Sequence, residues 1–176
     1  MINVTKMKKM VNAGSVIWGV EGDYMLIADG YRVYKDHIYN FNPKLKAALF
    51  EKFERVPEEG ETLIYNKSVK QVKPFEKRLS DFIGKQEDLT VNVERLGLAT
   101  DDFEIVKTEN GLVAFDKDYS QVFKNPKKLI MKTSKKKLWF TRFTFEGETM
   151  EYYLLPVRVE NLEEKLREKL GFKEEK

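Results

Sequence analysis

His37 is the only histidine in the 176-residue chain, and cysteine is absent. Thiolate metal sites and histidine clusters are thereby excluded, and a Ser-His-Asp arrangement has a single candidate base. His37 stands beside Ile38 and Tyr39 at the expected end of a strand, where it reads as a structural or surface residue. Asp101-Asp102 and Asp116-Lys117-Asp118 carry the oxygen ligands that hard cations take. Both fall at expected strand boundaries, where aspartate is a routine turn and cap residue. No glycine-rich loop followed by Lys-Ser/Thr is present to cradle a phosphate. The expectation is a protein with no catalytic residues, no metal and no cofactor, and so not an enzyme.

Binding chemistry is better represented. Net charge is only +3, yet no acidic residue occurs from Tyr119 to Phe145. That stretch holds Lys124, Lys127, Lys128, Lys132, Lys135, Lys136, Lys137 and Arg142. Clustered cations are the footprint of a phosphate-binding surface, because each contact releases condensed counterions. From Glu146 onward the balance reverses, with nine Glu against six Lys or Arg.

Two strand-like segments complete the set. One is Ile27-Ala28-Asp29-Gly30-Tyr31-Arg32-Val33; the other is Tyr153-Leu154-Leu155-Pro156-Val157-Arg158-Val159. Asp29-Gly30 is suited to a tight turn. Pro156 cannot donate to a sheet ladder, so its strand is expected at an edge or bulged at that point. Leu154, Leu155 and Val157 would then form an apolar rim where an extended peptide can dock.

These segments resemble the two halves of the partner-peptide pocket in bacterial DNA polymerase III sliding clamps (the beta subunit). That family carries an Ala-Thr-Asp-Gly-His-Arg-Leu type segment in its middle domain and a Met-Pro-Met/Val-Arg-Leu type segment in its last strand. The hairpin Val20-Glu21-Gly22-Asp23 is similar to the clamp meander, and the motifs come in the same order. The resemblance implies that Gly30, Tyr31, Arg32, Val33, Leu155, Pro156, Val157 and Arg158 line a pocket. Such a pocket receives a linear motif of polymerase or clamp-loader-type proteins. It also implies non-specific contact with double-stranded DNA through cations on helices. Here those would be Lys6, Lys8 and Lys9 on a first helix, Lys44, Lys46 and Lys52 on a second, and Lys73, Lys77 and Arg78 at a third. Lys127, Lys128, Lys135, Lys136 and Lys137 form a second candidate surface. Clamp proteins have three domains, whereas this chain has room for two compact ones. A six-domain ring would need three copies, hence a homo-oligomer.

The elements that must position these residues follow from periodicity. Val4, Met7, Met10 and Val11 recur at helical spacing, with Thr5 as the expected N-cap. Strands are expected over 15–20, 24–28 and 31–39, with a hairpin turn at Glu21-Gly22-Asp23. Pro43 opens a second helix with Leu45, Ala48, Leu49 and Phe53 inward, and 62–65 returns as a strand. Pro74 is expected to open a third helix bearing Phe75, Leu79, Phe82 and Ile83. Further strands are expected over 89–93, 103–107, 112–115, 121–124, 129–132, 138–145 and 151–159, with Asn110-Gly111 as a hairpin signal. Asn161 and Glu164 cap a last helix with a Leu162, Leu166 and Leu170 stripe, stopped by Gly171. A weak repeat pairs Ala28-Asp29 and Val33-Tyr34-Lys35-Asp36 with Ala114-Phe115-Asp116 and Val122-Phe123-Lys124-Asn125.

The expected class is α+β: two small clamp-like units of antiparallel sheet with short helices, over 1–70 and 71–159, and a C-terminal helix and tail over 160–176. No apolar run is long enough to cross a membrane, and residues 1–11 are not expected to act as a secretory leader. With no cysteine, a reducing cytoplasm is expected. Two other readings remain open. One is a phage or mobile-element protein that binds a host protein without a DNA ring; the other is a small enzyme built on His37.

Overall fold

The structure is a computed structural model that describes residues 2–83, 89–92, 94–99, 102–108, 111–123, 129–134, 141–145 and 147–169. The protein is α+β, with antiparallel sheets and short helices. Among the described residues there are twelve strands and five helices. No described helix is long and apolar enough to cross a membrane.

The N-terminal part begins with helix α1 (Val4–Val11), whose buried face is Met7, Met10 and Val11. Its N-cap is Asn3 and not Thr5, because the Asn3 side chain accepts from the Lys6 amide and satisfies a donor the helix leaves open. Strands β1 (Ser15–Glu21), β2 (Tyr24–Ala28) and β3 (Arg32–His37) follow as the expected meander. Gly22 turns the first hairpin with φ +58°. Helix α2 (Pro43–Phe53) starts with proline in its first turn and buries Leu45, Leu49 and Phe53. It packs beside α1.

Strands β4 (Thr62–Asn66) and β5 (Gln71–Pro74) then form a hairpin. Pro74 therefore ends a strand and does not open a helix, and helix α3 waits until Leu79–Ile83. Proline is tolerated there because β5 is the outermost strand. The α3 start is capped instead by Glu21, whose Oε1 accepts from the Leu79 amide at 2.6 Å. Trp18 meets Phe53 of α2. The next residue, Gly19, lies against Leu79 of α3. Successive strand residues face opposite sides, so α2 and α3 cover opposite faces of β1. That explains why five consecutive β1 residues are buried.

The C-terminal part supplies β6 (Leu89–Asn92), β7 (Glu94–Ala99), β8 (Phe103–Thr108), β9 (Gly111–Asp116), α4 (Lys117–Ser120), β10 (Leu129–Ser134), β11 (Thr141–Phe145), β12 (Glu151–Leu154) and α5 (Leu162–Lys169). Two sheets result. The larger has nine strands in the order β5-β4-β1-β2-β3-β12-β11-β10-β6, and the smaller runs β7-β8-β9. Phe123 stacks on Phe143 and also meets Phe145 and Tyr152, while Phe115 of the small sheet touches Phe143. This aromatic cluster joins the sheets into one core.

Three expectations change here. Of the strand expected over 121–124, residues 121–123 are described and form no strand: α4 precedes them, and Phe123 makes an isolated bridge to Ile2. The weak repeat accordingly does not correspond to one repeated unit. Its first copy runs strand-turn-strand, and its second passes from β9 into α4. The strand expected over 151–159 ends at Leu154. It is not an edge, because β12 lies between β3 and β11. Pro156 stands beyond the ladder, where its missing donor costs nothing. After it the chain crosses to the small sheet, with the Val157 amide donating to the Ala114 carbonyl at 2.8 Å. Strand β8 pairs with β9 with Thr108 opposite Gly111, as a hairpin. Asn110, Leu170 and Gly171 lie outside the described residues.

Candidate binding surfaces

The two motifs, far apart in the chain, are direct neighbours in the sheet. Strands β3 and β12 pair with Arg32 opposite Leu154 and Val33 opposite Tyr153. Past the end of β12, the Leu155 amide donates to the Tyr31 carbonyl at 2.9 Å. Gly30, with φ +92°, turns the chain so that β3 can start here.

The motif residues divide into two layers. Tyr31 is 61% exposed and Val157 is 36% exposed. Leu155 and Pro156 are half-buried between them in sequence, and Arg158 is exposed. Arg32 and Val33 lie beneath, each 2% exposed. Arg32 is a structural hub. Its Nε donates to Asp29 Oδ2 at 2.7 Å, with both side chains buried. Its guanidinium sits 4.2 Å from the centre of the Tyr119 ring. Tyr119 in turn packs against Tyr31, and its carbonyl accepts from the Tyr152 hydroxyl at 3.0 Å. Burial works against the charge of Arg32, but Tyr152 and Asp29 together outweigh it and raise its pKa. Burial likewise raises the Tyr152 phenol, opposed by Arg32. The outer layer thus combines Tyr31, Leu155, Pro156 and Val157 with the charged Arg158 above a buried base. Tyr119 is the member that sequence reading missed: it lies on α4, and only the fold brings it to the motif.

The lysines separate into groups. Lys8 of α1, Lys52 of α2 and Lys73 of β5 line one groove of about 1040 Å³ between the helices and the β4–β5 hairpin. Arg55 and Lys70 join them. Lys52 is already engaged: its Nζ donates to the Val11 carbonyl at the end of α1 and lies 5.0 Å from the Tyr65 ring centre. Burial, and then Lys67, lower its pKa. Arg55 is held by Glu61 through two nitrogens. Lys9 lies outside this groove and pairs with Asp118 of α4 at 2.9 Å. Lys6, Lys44 and Lys46 occupy other positions on the two helices, with Lys44 exposed. Lys77 and Arg78 are exposed in the segment between β5 and α3 and not on a helix. Lys127, Lys128, Lys135, Lys136 and Lys137 lie outside the described residues.

The acidic pairs have local partners. Asp116 caps α4 by accepting from the Asp118 amide at 2.8 Å. The Asp102 carbonyl accepts from the Lys117 amide, and Asp101 lies outside the described residues. His37 rests between Tyr24 and Tyr39, and its Nδ1 accepts from the Tyr39 amide at 3.4 Å. Comparison with protein-family models, curated proteins and solved structures finds no match to the chain.

Proposed function

We propose that the protein is a non-catalytic, sliding-clamp-like accessory factor that holds a partner protein at DNA. The observation that carries this reading is the pairing of β3 with β12. It brings Tyr31 beside Leu155 and continues into Pro156 and Val157. An exposed apolar patch over a fixed base is what a short linear motif requires, because a preorganised surface reduces the ordering cost of binding. Polymerase or clamp-loader-type proteins are the partner class. DNA is held without sequence preference through lysines such as Lys8, Lys44 and Lys73, which are exposed.

The test is direct binding of a panel of linear-motif peptides from polymerases and clamp loaders, alongside retention of duplex DNA at rising salt. Binding of at least one peptide, lost in Tyr31→Asp and in Val157→Asp, supports the reading. A panel that fails to bind, or binds equally to both variants, overturns it. Peptide binding without any duplex retention would favour a host-protein binder that does not act on DNA. A ring further predicts self-association, which sedimentation would detect.

A further inference from the structure

Strand β5 has one side without a partner. It is the outermost strand of the larger sheet and pairs only with β4 among the described residues. The Phe75 amide donates to the Thr62 carbonyl at 2.8 Å. Bonded and non-bonded pairs alternate in an antiparallel ladder, so Lys73 and Gln71 bond to β4, and the Val72 amide and carbonyl point away from it. The Pro74 carbonyl points the same way. Helix α2 stands beside this open edge, because Val72 and Pro74 line one groove together with Ala48, Glu51 and Glu54 of α2 and its C-cap. A free strand edge facing a helix is where an extended segment can add as one more strand, held by backbone bonds. On the helix, Lys52 is engaged by the Val11 carbonyl and Arg55 by Glu61. Glu51 and Glu54 form no ion pair among the described residues.

We propose that an extended peptide carrying lysine or arginine binds in this groove by adding to β5 as an antiparallel strand. One peptide residue exchanges two bonds with Val72, and the amide two residues away reaches the Pro74 carbonyl. Val72 lies opposite Tyr65, whose ring meets Phe53 and Lys52 of α2. Cross-strand neighbours share a face, so the peptide side chain beside Val72 points toward α2, where Glu51 and Glu54 attract a cation. Pro74 offers no amide, which keeps the pairing short and guards the edge against unlimited sheet growth. The alternation of Glu51, Lys52, Glu54 and Arg55 suits a polypeptide better than a polyanion. The pairing uses backbone groups and needs no side chain of Lys8 or Lys73. It goes beyond the patch at Tyr31 and does not depend on it.

Selection from a displayed library of random peptides, followed by titration of the enriched sequences as synthetic peptides, tests the assignment. Val72→Pro removes the outward amide and leaves the bonds to β4 in place, as Pro74 does in the same register. Val72→Ala keeps the amide. Enriched peptides are expected to bind Val72→Pro about fivefold or more weakly, and Val72→Ala within about twofold of the unaltered protein. Glu51→Gln combined with Glu54→Gln weakens them by about 2- to 5-fold. Hydrogen exchange of the unaltered protein gives a readout that needs no variant: the Val72 amide exchanges readily alone and is protected by bound peptide. Tyr31→Asp leaves this binding unchanged, so a failed patch and a failed groove give different results. The proposal is overturned if no peptide is enriched, if the enriched peptides bind Val72→Pro as tightly as the unaltered protein, or if bound peptide leaves the Val72 amide unprotected. Protection of Val72 by raised protein concentration alone would assign the edge to a second copy of the chain, and overturns it too.

Discussion

The guanidinium of Arg32 and the carboxylate of Asp29 form a buried ion pair, 2.7 Å from Nε to Oδ2, with each side chain 3% exposed. The pair closes the turn that leads into β3 and anchors Tyr119 above it. It therefore fixes the base of the apolar patch without being part of its surface.

Removing one partner leaves the other charged and buried. Asp29→Ala and Arg32→Ala are each expected to cost roughly 3–5 kcal/mol of stability. The double variant Asp29→Ala/Arg32→Ala should lose less than the sum of the two. Urea titration of the three variants measures this, and strictly additive losses would show that the pair is not coupled.

The patch itself responds differently. Tyr31 is exposed, so Tyr31→Asp is expected to change stability by no more than about 0.5 kcal/mol. Its effect belongs in peptide binding. Thermal unfolding beside a binding titration separates the two: a large drop in stability would make Tyr31 a packing residue.

Three tyrosines make the fold sensitive to alkali. Burial raises the phenols of Tyr34, Tyr152 and Tyr153 above their ordinary value of 10.0. Asp36 adds to the effect on Tyr34, and Glu151 to that on Tyr153. The folded state thus favours the protonated form. Its contribution is complete below pH 10.0 and declines as pH rises toward the folded-state values. Stability should be flat at neutral pH and fall above about pH 10. Tyr34→Phe should flatten that fall, at the cost of the hydrogen bond to Asp36 Oδ2. Denaturant titrations across alkaline pH, with tyrosinate absorbance as a second signal, check both outcomes.

Gly19 is a packing position. A Cβ there would stand 3.0 Å from Thr62 Oγ1 and 3.4 Å from the Glu61 carbonyl. Gly19→Ala is expected to destabilise by about 1–3 kcal/mol through overpacking between β4 and α3. Gly14→Ala, with open space around it, is the control. Equal effects in the two variants would remove the steric explanation.

Much of the N-terminal part was legible because its signals are local. The Gly22 turn, the short apolar runs of β1 to β3, and the Pro43 start of α2 each depend on a few neighbouring residues. The same local reasoning misjudged Pro74 and Pro156. Proline removes a donor in either case, but whether it starts a helix, ends an edge strand or follows an interior strand depends on the neighbours. For β5 that is its place outside β4, and for β12 it is the pairing with both β3 and β11.

By itself, the sequence determined the α+β class, the meander, the lone histidine and the absence of cysteine, because composition and short-range periodicity suffice for these. Tertiary structure decided which of those features meet. It set the β3–β12 register, placed Tyr119 over Arg32, and gathered Lys8, Lys52 and Lys73 from three elements into one groove. Long-range pairing of this kind is fixed by the burial of whole strands within one core, which no short stretch of sequence specifies.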